Sequence, residues 1–184
     1  LILSIGYAGG LNSKLDVGNV VVADHVLKIN TAHVDVESYS IDSKKLELLE
    51  EVAFPKKIIF CIGKLITVDQ IVDDSATKQK LGSVYNALAV DMETAALIGH
   101  AEKQNISILS VRAISDTSEQ SLVDVSSFIG DDGEISKIKA GWYAITHPYK
   151  IKSFISLRAQ SHIATCGMTE FLRAFLRTCF HSER

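Results

Sequence analysis

The stretch ALAVDMETAALIGHAEKQNISILSVRAISD, residues 87–116, constrains the fold more than any other part of the chain. Ala87 to Val90 reads as a short strand, Met92 to Lys103 as a helix and Ile106 to Ile114 as a second strand. Joined by connections this short, they predict a βαβ unit on a parallel sheet. Met92, Ala96 and Gly99 fall at i, i+4 and i+7, so small residues are expected on the sheet while Glu102, Lys103 and Gln104 face water. The unit delivers Glu93 and Asp116 to carboxyl ends of strands, where open α/β sheets bind their ligands.

The other elements fit an α/β chain. Leu1 to Gly6 opens at once as a buried strand, without Met, and predicts a preceding N-terminal piece. Gly6, Gly9 and Gly10 predict a turn at that strand's end that approaches a ligand closely, and Val17 to Ala23 is a second β-rich run. Residues 42–52, with Leu46, Leu49 and Val52 at helical spacing, predict a short amphipathic surface helix that Pro55 ends. Ile58 to Ile66 is a largely apolar strand in which Gly63 marks a bulge or a tight approach. Gly130 to Gly133 marks a turn, and beyond Lys150 two apolar sets, Ile151/Phe154/Ile155 and Phe171/Leu172/Phe175/Leu176, are helical.

Composition excludes several classes of function. With 184 residues the chain suits one domain, residues 1–184, and 19 Lys+Arg against 22 Asp+Glu leave no basic field for nucleic acid. The basic tail, six Lys/Arg against two Glu over 150–184, reads as a solvated helix face. Cys61, Cys166 and Cys179 lack CxxC spacing, which argues against a disulfide framework and for a cytoplasmic setting. No apolar run is long enough for a membrane span. The six His show no metal spacing, GYAGG has neither the dinucleotide nor the P-loop order, and no GxSxG occurs. No metal and no cofactor are expected.

The carboxylates carry the chemistry. Asp91-Met92-Glu93 starts a helix at one strand end and Ser115-Asp116 ends the next strand, so Glu93 and Asp116 can converge on one pocket, with the Ser115 hydroxyl placed to orient the Asp116 carboxyl. SIGYAGGLNSKLDVGNVVVAD, LITVDQIVDD, AVDMETAALIG and VRAISD, in that order over residues 1–128, resemble the purine nucleoside phosphorylase and nucleosidase superfamily, which includes methylthioadenosine/S-adenosylhomocysteine nucleosidases. Within it, Tyr7 in GYAGG, the AVDMET wording and the tail are more similar to the hopanoid-associated phosphorylase branch.

The resemblance implies a three-layer α/β/α fold with a mixed, partly parallel central sheet, from which the superfamily's N-terminal βαβ part is missing here. It implies that Glu93 accepts hydrogen bonds from the ribose 2′- and 3′-hydroxyls while Met92 packs on the sugar. Asp116 would meet N7 of the purine, Ala8 and Gly9 would line ribose and base, and the backbone at Ile71 and Val72 would flank the base. Cleaving an N-glycosidic bond places positive charge on the ribose and negative charge on the leaving purine, which calls for a carboxylate on the sugar side and an acid on the base side. Such an acid is kept protonated by burial and a nearby negative charge. Two departures stand out: Tyr7 replaces the Ser or Thr many members place beside the nucleophile, and Arg112 is the only arginine before residue 150.

The expected activity is cleavage of the N-ribosidic bond of an adenine-type purine nucleoside by phosphorolysis, with inorganic phosphate as co-substrate. The alternatives are a hydrolytic methylthioadenosine/S-adenosylhomocysteine nucleosidase and a nucleoside-binding or scaffold protein without turnover. A homo-oligomer is expected from the resemblance.

Overall fold

The computed structural model describes residues 1–30, 36–122 and 151–181. Strands β1 (Ile2–Gly10), β2 (Val20–Ile29) and β3 (Val36–Ser40) precede α1 (Ser43–Glu47) and β4 (Phe60–Val68). Then follow α2 (Ser75–Tyr85), β5 (Ala89–Asp91), α3 (Thr94–Lys103), β6 (Ile108–Asp116) and α4 (Ile151–His181). The turn expected at Gly130 to Gly133 lies outside the described residues.

The sheet is mixed and partly parallel, as expected, in the order β3-β2-β4-β5-β1-β6. These pairings do not test the three-layer arrangement; strand β2 also pairs with β6 and closes five strands into a ring. One long strand makes this possible. Along one edge β2 runs parallel to β4, while on the other Val20 to Val22 pair with β6 and His25 to Ile29 pair with β3. Between these segments Ala23 faces Gly63 and Val26 faces Leu65, so Asp24 and His25 oppose Lys64 alone. A bulge of this kind bends and twists its strand. It lies in β2, and Gly63 is the tight approach: a Cβ there would sit 2.6 Å from Leu88 Cδ1.

Several sequence expectations need correction. The GYAGG segment is no turn but the end of β1, where the packing is tight: a Cβ on Gly9 would lie 3.1 Å from Asp116 Oδ2 and one on Gly10 would lie 3.2 Å from the Asp116 carbonyl oxygen. The 87–116 unit is not a parallel βαβ pair either. Strand β1 intervenes, antiparallel to β5 through Gly9–Val90 and Gly10–Ala89 and parallel to β6. Non-local pairing with the chain's first strand overrides the local pattern.

Helix α3 also turns a different face inward. Thr94, Ala95, Ile98 and Ala101 are buried, whereas Ala96 is exposed and Met92, just before the helix, is 45% exposed. The rotation follows from Thr94, whose hydroxyl is drawn into a buried polar cluster described below. Helix α1 is shorter than expected, and Leu49 and Val52 enter the core from the turns beyond it.

The two apolar sets beyond Lys150 belong to one 31-residue helix, α4. Ala164, Met168, Phe171 and Phe175 recur at helical spacing and are buried. Phe171 stacks on Phe54 with centroids 4.8 Å apart and meets Phe60 edge-on at 5.6 Å, which ties α4 to the loop before β4. Gly167 lets α4 approach the Gly18 turn, since a Cβ there would come within 2.1 Å of the Gly18 carbonyl oxygen. Among the described residues no helix is long and apolar enough to cross a membrane.

Candidate active site

A cleft of about 180 Å³ opens where the ends of β1, β4, β5 and β6 meet. Tyr7, Ala8 and Gly9 come from β1, Val68 from the end of β4, and Gln70, Ile71 and Val72 from the segment that follows it. The β5–α3 junction contributes Val90 to Glu93, β6 contributes Ser115 and Asp116, and Leu122 closes one wall. All eight residues singled out in the sequence, Ala8, Gly9, Ile71, Val72, Met92, Glu93, Ser115 and Asp116, thus border one space. Tyr7, Val68, Gln70, Val90, Asp91 and Leu122 border it as well.

A second bulge aims Asp116. Along β1 and β6, Ala8 faces Ile114 but Gly9 faces Asp116, so Ser115 is the extra residue. The Ser115 hydroxyl, 2.7 Å from Asp116 Oδ1, donates to the carboxylate, as its neighbouring position suggested. The other oxygen has a partner that sequence reasoning missed: the Lys78 ammonium donates to Oδ2 at 2.5 Å. Lys78 is 0% exposed and Asp116 is 5% exposed. The expected neighbouring negative charge is therefore replaced by a buried cation.

At the β5–α3 junction, Glu93 occupies the N-cap position of α3 yet makes no side-chain capping bond. Its side chain is exposed and has no hydrogen-bond partner among the described residues, unlike that of Asp74, which caps α2 by accepting from the Thr77 backbone N–H at 2.8 Å. Its carboxylate is left available to a ligand.

Behind Glu93 lies the polar cluster that holds the junction. The Asp91 carboxylate accepts from the Arg112 Nε at 2.8 Å, from the Thr67 hydroxyl at 2.7 Å and from the Thr94 backbone N–H and hydroxyl. Arg112, 2% exposed, also donates to the Ser4 and Val111 carbonyls and to the Ser4 and Thr94 hydroxyls. Every nitrogen of its guanidinium is engaged. Arg112 therefore joins β1, β5, α3 and β6 rather than lining the cleft. The Tyr7 hydroxyl, for its part, is 2.7 Å from the Thr165 hydroxyl on α4.

A methylthioadenosine/S-adenosylhomocysteine nucleosidase of Buchnera aphidicola is 31% identical over 136 residues, covering 67% of this chain and 54% of the relative. One from Staphylococcus aureus is 27% identical over 129 residues, covering 63% and 56%. The chain thus spans about half the length of the curated relatives it matches. Among solved structures, a Helicobacter pylori nucleosidase of the same name superposes with a TM-score of 0.67 at 18% identity, over 95% of this chain and 67% of that one. The futalosine hydrolase of Helicobacter pylori gives 0.66 at 19% identity, over 95% and 66%. At these identities the superpositions speak for the fold. A family model of the phosphorylase superfamily matches residues 1–137, well over half of the sequence, and the chain belongs to that superfamily.

Proposed function

We propose that this chain carries the base- and ribose-binding face of a nucleosidase that cleaves the N-ribosidic bond of an adenine-type nucleoside, of the methylthioadenosine/S-adenosylhomocysteine kind, with water as nucleophile. The observation that carries the reading is the charge of the cleft. Asp91, Glu93 and Asp116 border it, and no Lys, Arg or His does so among the described residues. A phosphate dianion placed there would meet carboxylates and no cationic fork of the type that binds phosphate. Arg112, the one arginine before residue 150, is engaged by Asp91. Water carries no such penalty, and the printed names of the relatives, nucleosidases and a futalosine hydrolase, point the same way. The preference for phosphorolysis accordingly gives way to hydrolysis.

In this reading Glu93 binds the ribose hydroxyls and favours the cationic sugar, Met92 packs on the ribose, and Ala8, Gly9, Ile71 and Val72 surround the base. Asp116, oriented by Ser115 and paired as a carboxylate with Lys78, takes up a proton from solvent for the step and passes it to N7 as the electron pair of the N9–C1′ bond moves into the purine. Water supplies the oxygen that bonds to C1′ and returns its proton to solvent. No cofactor enters the reaction.

The test incubates the full-length protein with methylthioadenosine in oxygen-18 water, with and without inorganic phosphate, and follows free adenine and the label on the sugar. Equal rates and a labelled sugar are expected. Adenine release that requires phosphate, or no release at all, would overturn the proposal.

A further inference from the structure

We propose that Lys78 is a positioning residue for this reaction, one that holds the leaving-group carboxyl and a wall of the cleft as a single unit. The inference rests on the nucleosidase reading above. Lysine is almost never fully buried unless it is paired, because an ammonium out of water loses its hydration. Lys78 has three protons and three acceptors: Asp116 Oδ2 at 2.5 Å, the Gln120 carbonyl at 2.8 Å and the Thr117 carbonyl at 3.3 Å. It does not border the cleft, whereas Asp116 does. The ammonium therefore supports the carboxyl from behind.

The same contacts fix the segment after β6. The Thr117 N–H donates to the Gln120 side chain, the Gln120 N–H donates back to the Thr117 carbonyl, and the Leu122 N–H donates to the Asp73 carbonyl at 2.7 Å. Residues 117–122 and the start of α2 thereby become one block, with Leu122 facing the ligand space. With Lys78 on Oδ2 and Ser115 on Oδ1, the plane of the Asp116 carboxyl is set before any ligand arrives.

Orientation is one contribution and charge is the other. The ammonium favours the carboxylate form of Asp116, so a proton taken up for the step is released readily to N7, and the resting ion pair re-forms without rearrangement. Preorganised charge of this kind acts where charge develops. Its benefit is confined to leaving groups that need a proton.

The experiment compares full-length wild type, Lys78→Met, Asp116→Asn and the double variant on methylthioadenosine and on a nitrophenyl riboside, whose aglycone leaves as a stable anion. Lys78→Met is expected to lower kcat on methylthioadenosine about 100-fold or more, with KM and nitrophenyl riboside turnover changed only a few-fold. The same substitution should add nothing in the Asp116→Asn background. Equal losses on both substrates, or an undiminished loss in that background, would show that Lys78 acts only through the fold and would overturn the inference. Should Lys78→Met fail to fold, the double variant, neutral on both sides, is expected to recover a cooperative melt; failure to recover it refutes the coupling. Lys78→Arg, which keeps the charge but not the tripod, then carries the kinetic comparison: a loss selective for methylthioadenosine supports the inference, and an equal loss overturns it. A wild type that releases no adenine sinks the nucleosidase reading and this role together. An active wild type indifferent to Lys78→Met sinks this inference alone.

Discussion

Replacing Arg112 tests whether the chain's one early arginine serves the fold or an anion. In Arg112→Met the Asp91 carboxylate, whose side chain is 1% exposed, keeps its bonds from Thr67 and Thr94 but loses its only ionic partner among the described residues. Breaking one side of a buried pair costs about 3–5 kcal/mol, because the remaining charge stays buried. The Ser4 and Val111 carbonyls lose donors as well. Against a typical total of about 5–15 kcal/mol, the single variant should lie near the limit of folding. In Arg112→Met/Asp91→Asn the charge is gone from both sides and the amide oxygen can still accept from Thr67, so most of the loss should return, to within about 1–2 kcal/mol of wild type, in keeping with the near-neutral effect of replacing both partners. Urea unfolding at neutral pH, read as a shift in midpoint at constant slope, measures each step. A single variant that loses less than about 1 kcal/mol, or a double variant no better than the single, would refute the assignment of Arg112 to the scaffold.

Glu93→Gln should lower turnover of a purine nucleoside by roughly 2–4 kcal/mol of transition-state stabilisation, while the melting temperature stays close to wild type because the side chain has no partner among the described residues to lose. Phe171→Ala removes the ring that joins Phe54, Phe60 and Phe175 and should cost about 3–5 kcal/mol in urea unfolding. The Asp74 carboxyl is held below its ordinary value of 3.8 by hydrogen bonds from the Thr77 side chain and backbone. Its stabilising contribution is therefore full above that value and is lost as pH falls through the lower folded one, so Asp74→Asn should flatten the acid limb of the stability profile in urea midpoints taken from about pH 5 downward. At the other extreme, the Tyr39 hydroxyl, raised to about 12 chiefly by its hydrogen bond to Glu37, should titrate later than free tyrosine in ultraviolet absorbance, and Glu37→Gln should bring it back toward 10.0.

What the sequence determined by itself is what short-range pattern encodes. The strands β1, β2, β4 and β6, the helix after Asp91 and the long C-terminal helix are written in runs of β-branched residues and in helical spacing, and both act between neighbours in the chain. That the eight candidate residues border one cleft accords with the resemblance carried by the ordered motifs and, for Glu93, Ser115 and Asp116, with their place at strand ends, where open α/β folds bind ligands. Tertiary structure decided the rest. Whether β5 pairs with β6 or with β1 depends on a contact between Gly9 and Val90, far apart in the chain, and no local pattern records it. The inward face of α3 was set by Thr94 reaching the Asp91–Arg112 pair, not by the spacing of small residues. Lys78 lies on a helix whose sequence, SATKQKLGSVY, reads as polar and solvated. Its burial follows from a carboxylate 38 residues later, and an ion pair over that distance exists only once the ring of strands has closed and brought the two charges together away from water.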